Sequence, residues 1–316
     1  MRSPFRYPGG KTRKHVQEKI LRRMPARFGE YREGFVGGGG IFFAIPTDRV
    51  EKRWINDLND PLIAVYKALR DRPDEFIASC REIEPAKEGE PTVKSKETSK
   101  EGSKEYNARL KAVFDKFVDD ENMDAALRYF YLNRTIWGGR VTYDPAQRSR
   151  LYFSNPQGWN IIKTDLLEKV AAHLKDTRIT CDSYEVTLSE PGDDVVVYLD
   201  PPYVVNSELA RNSQLYQLGF SMEDHEKFRD AVLASDHKVC ISYDDHKLVR
   251  ELFREDDGFH LYSETWKYSG TGKEVKDDGQ ELIITNYDAS DVMKTMYGSM
   301  NGRIVGRGSM DCFADL

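Results

Sequence analysis

One apolar run in the chain ends abruptly: Val195-Val196-Val197-Tyr198-Leu199 is followed at once by Asp200-Pro201-Pro202-Tyr203. An unbroken run rich in β-branched residues predicts a strand buried on both faces. Two prolines bring no N–H to a neighbouring strand, so they stop it there. The Asp200 carboxylate and the Tyr203 ring are thereby presented at the C-terminal end of a buried strand, the edge at which open α/β sheets bind ligands. Asp200 and the Pro201 carbonyl accept hydrogen bonds, and Tyr203 offers an aromatic face. Together they can hold a ring-conjugated amino group from two sides while the ring stacks, which draws the nitrogen lone pair out of conjugation. An ordinary strand followed by a Pro-Pro loop is the competing reading, and the rest of the chain has to choose.

The 316 residues suffice for one large or two smaller domains with a sizeable core. With 39% hydrophobic and 32% charged residues, the composition is that of a soluble globular protein. No apolar run approaches a membrane span, and the start, Met1-Arg2-Ser3-Pro4-Phe5-Arg6-Tyr7, lacks the apolar core of a signal peptide. A cytoplasmic protein with no membrane partner is expected. Cys80, Cys181, Cys240 and Cys312 lie far apart, and the histidines form no pair at ligand spacing. Reduced thiols are expected, with neither a disulfide framework nor a metal.

The net charge of −6 hides a local imbalance. Residues 1–32 carry ten basic side chains (Arg2, Arg6, Lys11, Arg13, Lys14, Lys19, Arg22, Arg23, Arg27 and Arg32) against Glu18 and Glu30. Such a patch suits a polyanion, although a solvated basic helix is the plainer reading.

Three parts separate along the chain. Residues 1–61 hold a glycine turn, a basic amphipathic helix at about 13–24, a second glycine turn and a short strand at 53–57. Residues 62–160 are mainly helical, with helical spacing in Leu62-Ile63-Val65-Tyr66-Leu69 and Ala126-Leu127-Phe130-Tyr131. Residues 161–288 return to alternating strand and helix, with strands at 179–181, 195–199, 238–242 and 281–286 and a helix capped by Ser221-Met222-Glu223-Asp224. Strands on both sides of a helical insertion predict an α/β catalytic core from 1–61 and 161–288 with a helical recognition domain at 62–160. Residues 84–104, rich in Glu, Lys, Ser and Gly, are expected to be a mobile loop. The tail at 289–316 receives no function.

Glu33-Gly34-Phe35-Val36-Gly37-Gly38-Gly39-Gly40 is an approach to a glycine cluster that a helix should follow, and Asp57 lies twenty residues past Gly37. Glycines let a backbone approach a ligand closely, and an acid at that distance accepts from ribose hydroxyls. Both NAD-type dinucleotides and S-adenosylmethionine carry an adenosine. The dinucleotide fingerprint wants a third glycine where this chain has Phe42, which favours S-adenosylmethionine. Tyr7-Pro8-Gly9-Gly10-Lys11 adds a second turn, in which Lys11 can pair with a carboxylate and Tyr7 can cover it.

Taken together, Pro4-Phe5-Arg6-Tyr7-Pro8-Gly9-Gly10-Lys11, Phe35-Val36-Gly37-Gly38-Gly39, Asn56-Asp57-Leu58-Asn59 and Asp200-Pro201-Pro202-Tyr203 resemble the Dam-like (D12 class) DNA adenine-N6 methyltransferases, in that family's order. Tyr129-Phe130-Tyr131-Leu132-Asn133-Arg134 with Gly139 and Arg140, and Cys181-Asp182-Ser183-Tyr184, agree as well, so the resemblance spans about residues 4–287. It implies a seven-stranded Rossmann-like methyltransferase sheet with an inserted, mainly helical target-recognition lobe. It further implies methyl transfer from S-adenosylmethionine to adenine N6 of a base flipped out of double-stranded DNA.

By that resemblance Tyr7, Gly9, Gly10, Lys11, Phe35, Gly37, Gly38, Gly39, Asp57, Ser183, Tyr184 and Asp200 bind the cofactor. Asp200, Pro201, Pro202 and Tyr203 form the catalytic motif. Arg128, Asn133, Arg134, Arg140, Tyr143, Arg148 and Arg150 are the expected DNA contacts, a basic and aromatic mixture suited to phosphates and unstacked bases. The segment at 141–159 departs from the hairpin of the family's GATC-reading members, which leaves the recognition sequence open. Cytosine N4 or RNA adenine as the acceptor, an inactive DNA-binding module of this fold, and a dehydrogenase are the competing readings. Nothing in the sequence sets the oligomeric state.

Overall fold

The computed structural model describes residues 1–7, 9–83, 124–136, 139, 141, 161–162, 164–203, 220–267 and 278–290. Its strands are β1 (Phe28–Glu33), β2 (Val50–Asn56), β3 (Thr177–Thr180), β4 (Val195–Leu199), β5 (Lys238–Asp244), β6 (His260–Lys267) and β7 (Asp278–Thr285). They form one seven-stranded sheet in the order β3-β2-β1-β4-β5-β7-β6. Strands β3, β2, β1, β4 and β5 run parallel, whereas β7 is antiparallel to both β5 and β6. From β1 the order proceeds through β2 on one side and β4 on the other. The β1–β4 boundary is therefore a topological switch point, where loops leaving two adjacent strand ends diverge and open a crevice.

Helices α1 (Lys14–Leu21), α2 (Asp60–Asp71), α3 (Pro73–Glu82), α4 (Ala125–Thr135), α5 (Leu166–Leu174), α6 (Glu185–Ser189), α7 (Met222–Leu233) and α8 (Lys247–Leu252) flank the sheet. The period of two in a strand sorts the core into two faces. Val196 and Tyr198 of β4 join Tyr31, Ile55, Cys240 and Ile283 beneath α1, α2, α4 and α5. Val195, Val197 and Leu199 join Val239, Ile241, Leu282 and Ile284 beneath α7 and α8. All five β4 residues are buried, as the unbroken apolar run requires. Among the described residues no helix is long and apolar enough to cross a membrane.

The expected strands and the helix at the Ser221 cap are present, the latter with a complete capping box in which Ser221 and Asp224 bond each other's backbone N–H. Strand β1 was hidden by its charges. Arg32 and Glu33 are 1% and 2% exposed, and Arg32 is tolerated there because Glu30 binds it at 3.0 and 3.1 Å and the Glu190 carbonyl accepts from it at 2.5 Å. The helix expected after the glycine cluster is a correction. Only a single 3-10 turn, Phe42–Ala44, forms there, because Ile45 is extended ahead of Pro46 and closes the helical path.

The basic N-terminal stretch is partly consumed within the fold. Lys19, Arg22 and Arg23 converge on Glu264 of β6 at 3.0, 2.5 and 3.3 Å. Residues 62–82 and 125–135, assigned by sequence to the recognition domain, share one apolar core with the sheet. The expected loop at 84–104, the departure at 142–159 and the tail from 291 lie outside the described residues.

Asn56 fastens the strand ends that carry the crevice. Fully buried, it donates to the Gly34 and Asp182 carbonyls at 3.1 and 2.9 Å. Its Oδ1 accepts from Thr180 Oγ1 at 2.7 Å and from the Asp182 N–H at 3.1 Å. Asn56→Ala leaves these buried partners without their hydrogen bonds and is expected to cost roughly 3 kcal/mol in a denaturant titration.

His225 is buried against Tyr243, its Nδ1 bonded to the hydroxyl, and burial pushes its pKa down to about 4. A lowered histidine pKa means that the unfolded chain takes the proton first. The stability involved is full above about pH 6.5 and is lost as pH falls toward 4. Buried Glu33, raised by desolvation, acts in the opposite sense. Chemical denaturation of His225→Asn at pH 7 and pH 5 is therefore expected to show a smaller acid loss than the native chain; equal losses would remove this role.

Candidate functional site

The crevice is built from three strand ends and the N-terminal segment. Past β1, the Val36 N–H bonds the Asn56 carbonyl at 2.9 Å, and the chain then turns at Gly37 with φ +45°. That angle, and a Cβ that would stand 2.8 Å from the Tyr7 ring, explain the glycine. The turn is tied from several directions. Tyr66 Oη donates to the Gly37 carbonyl at 3.0 Å, Ser3 Oγ to Gly38 at 2.5 Å and Gln17 to Gly40 at 2.9 Å.

Past β2, Asp57 accepts from the Gly37 N–H at 2.8 Å and from the Asn59 N–H at 2.9 Å. Burial pushes its carboxyl above the ordinary value, and those backbone amides hold it down. Asn59 caps α2, with Pro61 in the first turn, so the acid sits at a rigid strand-to-helix junction.

Past β4, Lys11 Nζ lies 2.9 and 3.1 Å from the two Asp200 oxygens, and Ser242 Oγ of β5 donates to Oδ1 at 2.8 Å. Tyr203 Oη accepts from Lys11 at 2.6 Å and donates to Glu281 of β7 at 2.9 Å. Burial and the two carboxylates hold the Tyr203 hydroxyl well above the usual phenol range, which keeps its proton on. Below these, Glu33 is buried, receives the Tyr31 hydroxyl at 2.7 Å, and is pushed well up by desolvation and by Asp200.

These groups share one cavity of about 500 Å³, within the range of small-molecule sites. Tyr7, Gly9, Gly10, Lys11, Phe35, Gly37, Gly38, Asp57, Asp200, Pro201, Pro202 and Tyr203 all stand in its wall. Three expected cofactor residues lie elsewhere. Gly39 packs below the turn, where a Cβ would meet Phe43 and the Tyr66 hydroxyl. Tyr184 stands behind the wall, stacked on Phe35 with ring centres 5.1 Å apart, and Ser183 bonds Glu185 at 3.0 Å.

Among the expected DNA contacts, Asn133 and Arg134 have a structural task. Asn133 is fully buried and brackets the Arg6 backbone, accepting its N–H at 3.0 Å and donating to its carbonyl at 2.7 Å. Arg134 is 6% exposed and donates to the Pro4 carbonyl at 3.1 Å. Burial and the nearby Arg6 and Arg2 lower its pKa to about 9. Both residues hold the N-terminal segment over the glycine turn. Arg128 is half-buried on α4, and Arg140, Tyr143, Arg148 and Arg150 lie outside the described residues.

Sequence reasoning missed Glu33, Leu58, Tyr129 and Phe220 in the wall, and Ser242 and Glu281 behind the motif. A signal existed for Glu281, a lone acid leading the apolar Leu282-Ile283-Ile284. None existed for Phe220.

Comparison with known proteins agrees with this geometry. The family model of the D12 class N6 adenine-specific DNA methyltransferases matches residues 7–269. The Type II methyltransferase M1.LlaDCHI of Lactococcus lactis subsp. cremoris is 26% identical, over 90% of this chain and 95% of its own length. The DNA adenine methylase of Escherichia coli (strain K12) is 25% identical over 80% of this chain and 84% of its own. The Type II methyltransferase M.MjaIII of Methanocaldococcus jannaschii is 23% identical over 90% and 99%. With a matched segment that covers the glycine turn, the acid at 57 and the motif at 200–203, the chain belongs to the D12 class N6 adenine-specific DNA methyltransferases.

Proposed function

We propose that the cavity takes S-adenosylmethionine on its Asp57 side and a flipped-out adenine of double-stranded DNA on its Asp200 side. The observation that carries this reading is the single cavity at the β1–β4 switch point that joins the glycine turn and Asp57 to Asp200 and Tyr203. S-adenosylmethionine suits the residues present. Phe35 and Tyr7 offer apolar walls, and Asp57 stands in the wall to accept from a ribose. A dinucleotide suits them less, since no α-helix starts at the glycine turn to seat a pyrophosphate and fully buried Phe42 fills the place of the packing glycine.

When bound, the cofactor supplies a methyl group on a sulfonium, electrophilic without further activation. The chain's own residues deal with the acceptor. Extrusion of an adenine from the duplex costs a few kcal/mol, and stacking on Tyr203 offsets part of it. Asp200 and the Pro201 carbonyl accept the two amino hydrogens, which frees the nitrogen lone pair from the ring and fixes its direction. As positive charge develops on N6, Asp200 stabilises it electrostatically.

In this structure Lys11 pairs with Asp200. Lys11 meets both carboxylate oxygens and Ser242 meets Oδ1, so the lone pair left on Oδ2 is the one that can accept from the amino group.

Mass spectrometry of nucleosides from unmethylated plasmid, incubated with the protein and S-adenosylmethionine, is expected to show N6-methyladenine that Asp200→Ala abolishes. N4-methylcytosine in its place would overturn the choice of acceptor. Asp57→Ala is expected to weaken S-adenosylmethionine binding in calorimetry by roughly 10- to 100-fold, the scale of a lost hydrogen bond to a charged group. Unchanged affinity would move the ribose elsewhere.

A further inference from the structure

The Asp200 motif is backed by a carboxylate from a strand that the motif itself gives no reason to notice. Glu281 opens the buried part of β7, 78 residues beyond Tyr203, and is 1% exposed. It faces Asp244 across the antiparallel β5–β7 pair, in register with Ile283 opposite Ser242. The period of two therefore puts Glu281 on the sheet face where Ser242 reaches Asp200. A carboxylate that deep persists only with its hydrogen bonds met.

Two of its contacts matter. The Tyr203 hydroxyl donates to Glu281 Oε2 at 2.9 Å, a shorter approach than the 3.4 Å from the same hydroxyl to Asp200. Lys11 Nζ stands 3.8 Å from Glu281 while it binds Asp200 at 2.9 Å. One phenol oxygen is thus held between a cation and an anion, which fixes where the ring of Tyr203 lies. One lysine also serves two carboxylates, so its charge is divided between them. Without Glu281 more of the cation's pull would fall on Asp200 and would weaken it as an acceptor for an amino group.

We propose that Glu281 is a positioning residue for methyl transfer, anchoring Tyr203 through its hydroxyl and drawing the Lys11 charge away from Asp200. The inference rests on the roles given to Asp200 and Tyr203 under the proposed function. It makes the Tyr203 hydroxyl an anchor, distinct from the ring that stacks on the base. Tyr203→Phe removes the hydroxyl end of the link, and Glu281→Gln weakens the other end by putting a neutral amide in place of the carboxylate, so their effects should overlap rather than multiply.

The test is steady-state methylation of plasmid DNA by the native chain, both single variants and the double variant, with S-adenosylmethionine calorimetry and thermal melts on each. Each single variant is expected to lower kcat roughly 10- to 100-fold. KM for DNA and Kd for S-adenosylmethionine should stay within about twofold, the pattern of an interaction made in the transition state. The double variant should be no worse than the weaker single variant to within about threefold. A kcat of Glu281→Gln equal to the native value would overturn the inference while leaving the proposed function standing, as would losses that multiply in the double variant. If Glu281→Gln does not fold, Tyr203→Phe decides: native kcat in that variant overturns the anchor. Absence of N6-methyladenine from the native chain would instead overturn the proposed function.

Discussion

The parallel pairing of β1 with β4, with Tyr31 opposite Val196 and Glu33 opposite Tyr198, is the contact on which the rest of the site depends. Adjacent strands stand about 4.8 Å apart, so whatever follows them starts side by side. After β1 comes the glycine turn, and after β4 comes Asp200. Because β2 flanks β1 on one side and β5 flanks β4 on the other, the two loops separate above the sheet, and the cavity is the gap between them. A donor and an acceptor placed in that gap are held against each other with little conformational freedom to lose, which is what a transfer between two bound groups needs.

The N-terminal segment closes the gap without belonging to the sheet. Its position is set by hydrogen bonds between side chains and backbone groups: Asn133 brackets Arg6, Arg134 binds Pro4, and Ser3 binds the Gly38 carbonyl. These contacts carry Lys11 to Asp200 across 189 residues of sequence. The lysine is 6% exposed, and a cation so nearly buried is tolerable because two carboxylates and a phenol oxygen meet it. The electrostatics of the motif therefore depend on how α4 grips the chain's first residues.

Strand β4, the Ser221 cap, the glycine turn and the motif at 200–203 were legible in the sequence because each has a local cause: an apolar run, a capping box, missing Cβ atoms, two prolines. Strand β1 was not: Glu30 and Tyr31 stand beside Arg32 and Glu33 in the chain, but the Thr187, Glu190 and Pro191 carbonyls that complete the burial of Arg32 are supplied only by the fold. Asn133 and Arg134 carried the chemistry of DNA contacts, but tertiary hydrogen bonds use it to hold residues 4–6. Glu281 stood out as an acid leading an apolar run, but its role did not, because its partners Tyr203 and Lys11 lie on other elements and meet it only through the β5–β7 pairing.

The measurement closest to the central claim is isotope transfer. The protein is incubated with unmethylated duplex DNA and S-adenosylmethionine whose transferable methyl group is deuterated, and the nucleosides are resolved by mass spectrometry. One cavity serving donor and acceptor predicts N6-methyladenine that carries the whole deuterated methyl group. No label on any base, or a transferred methyl group that has lost deuterium, would contradict it, whereas label on cytosine N4 would change only the acceptor.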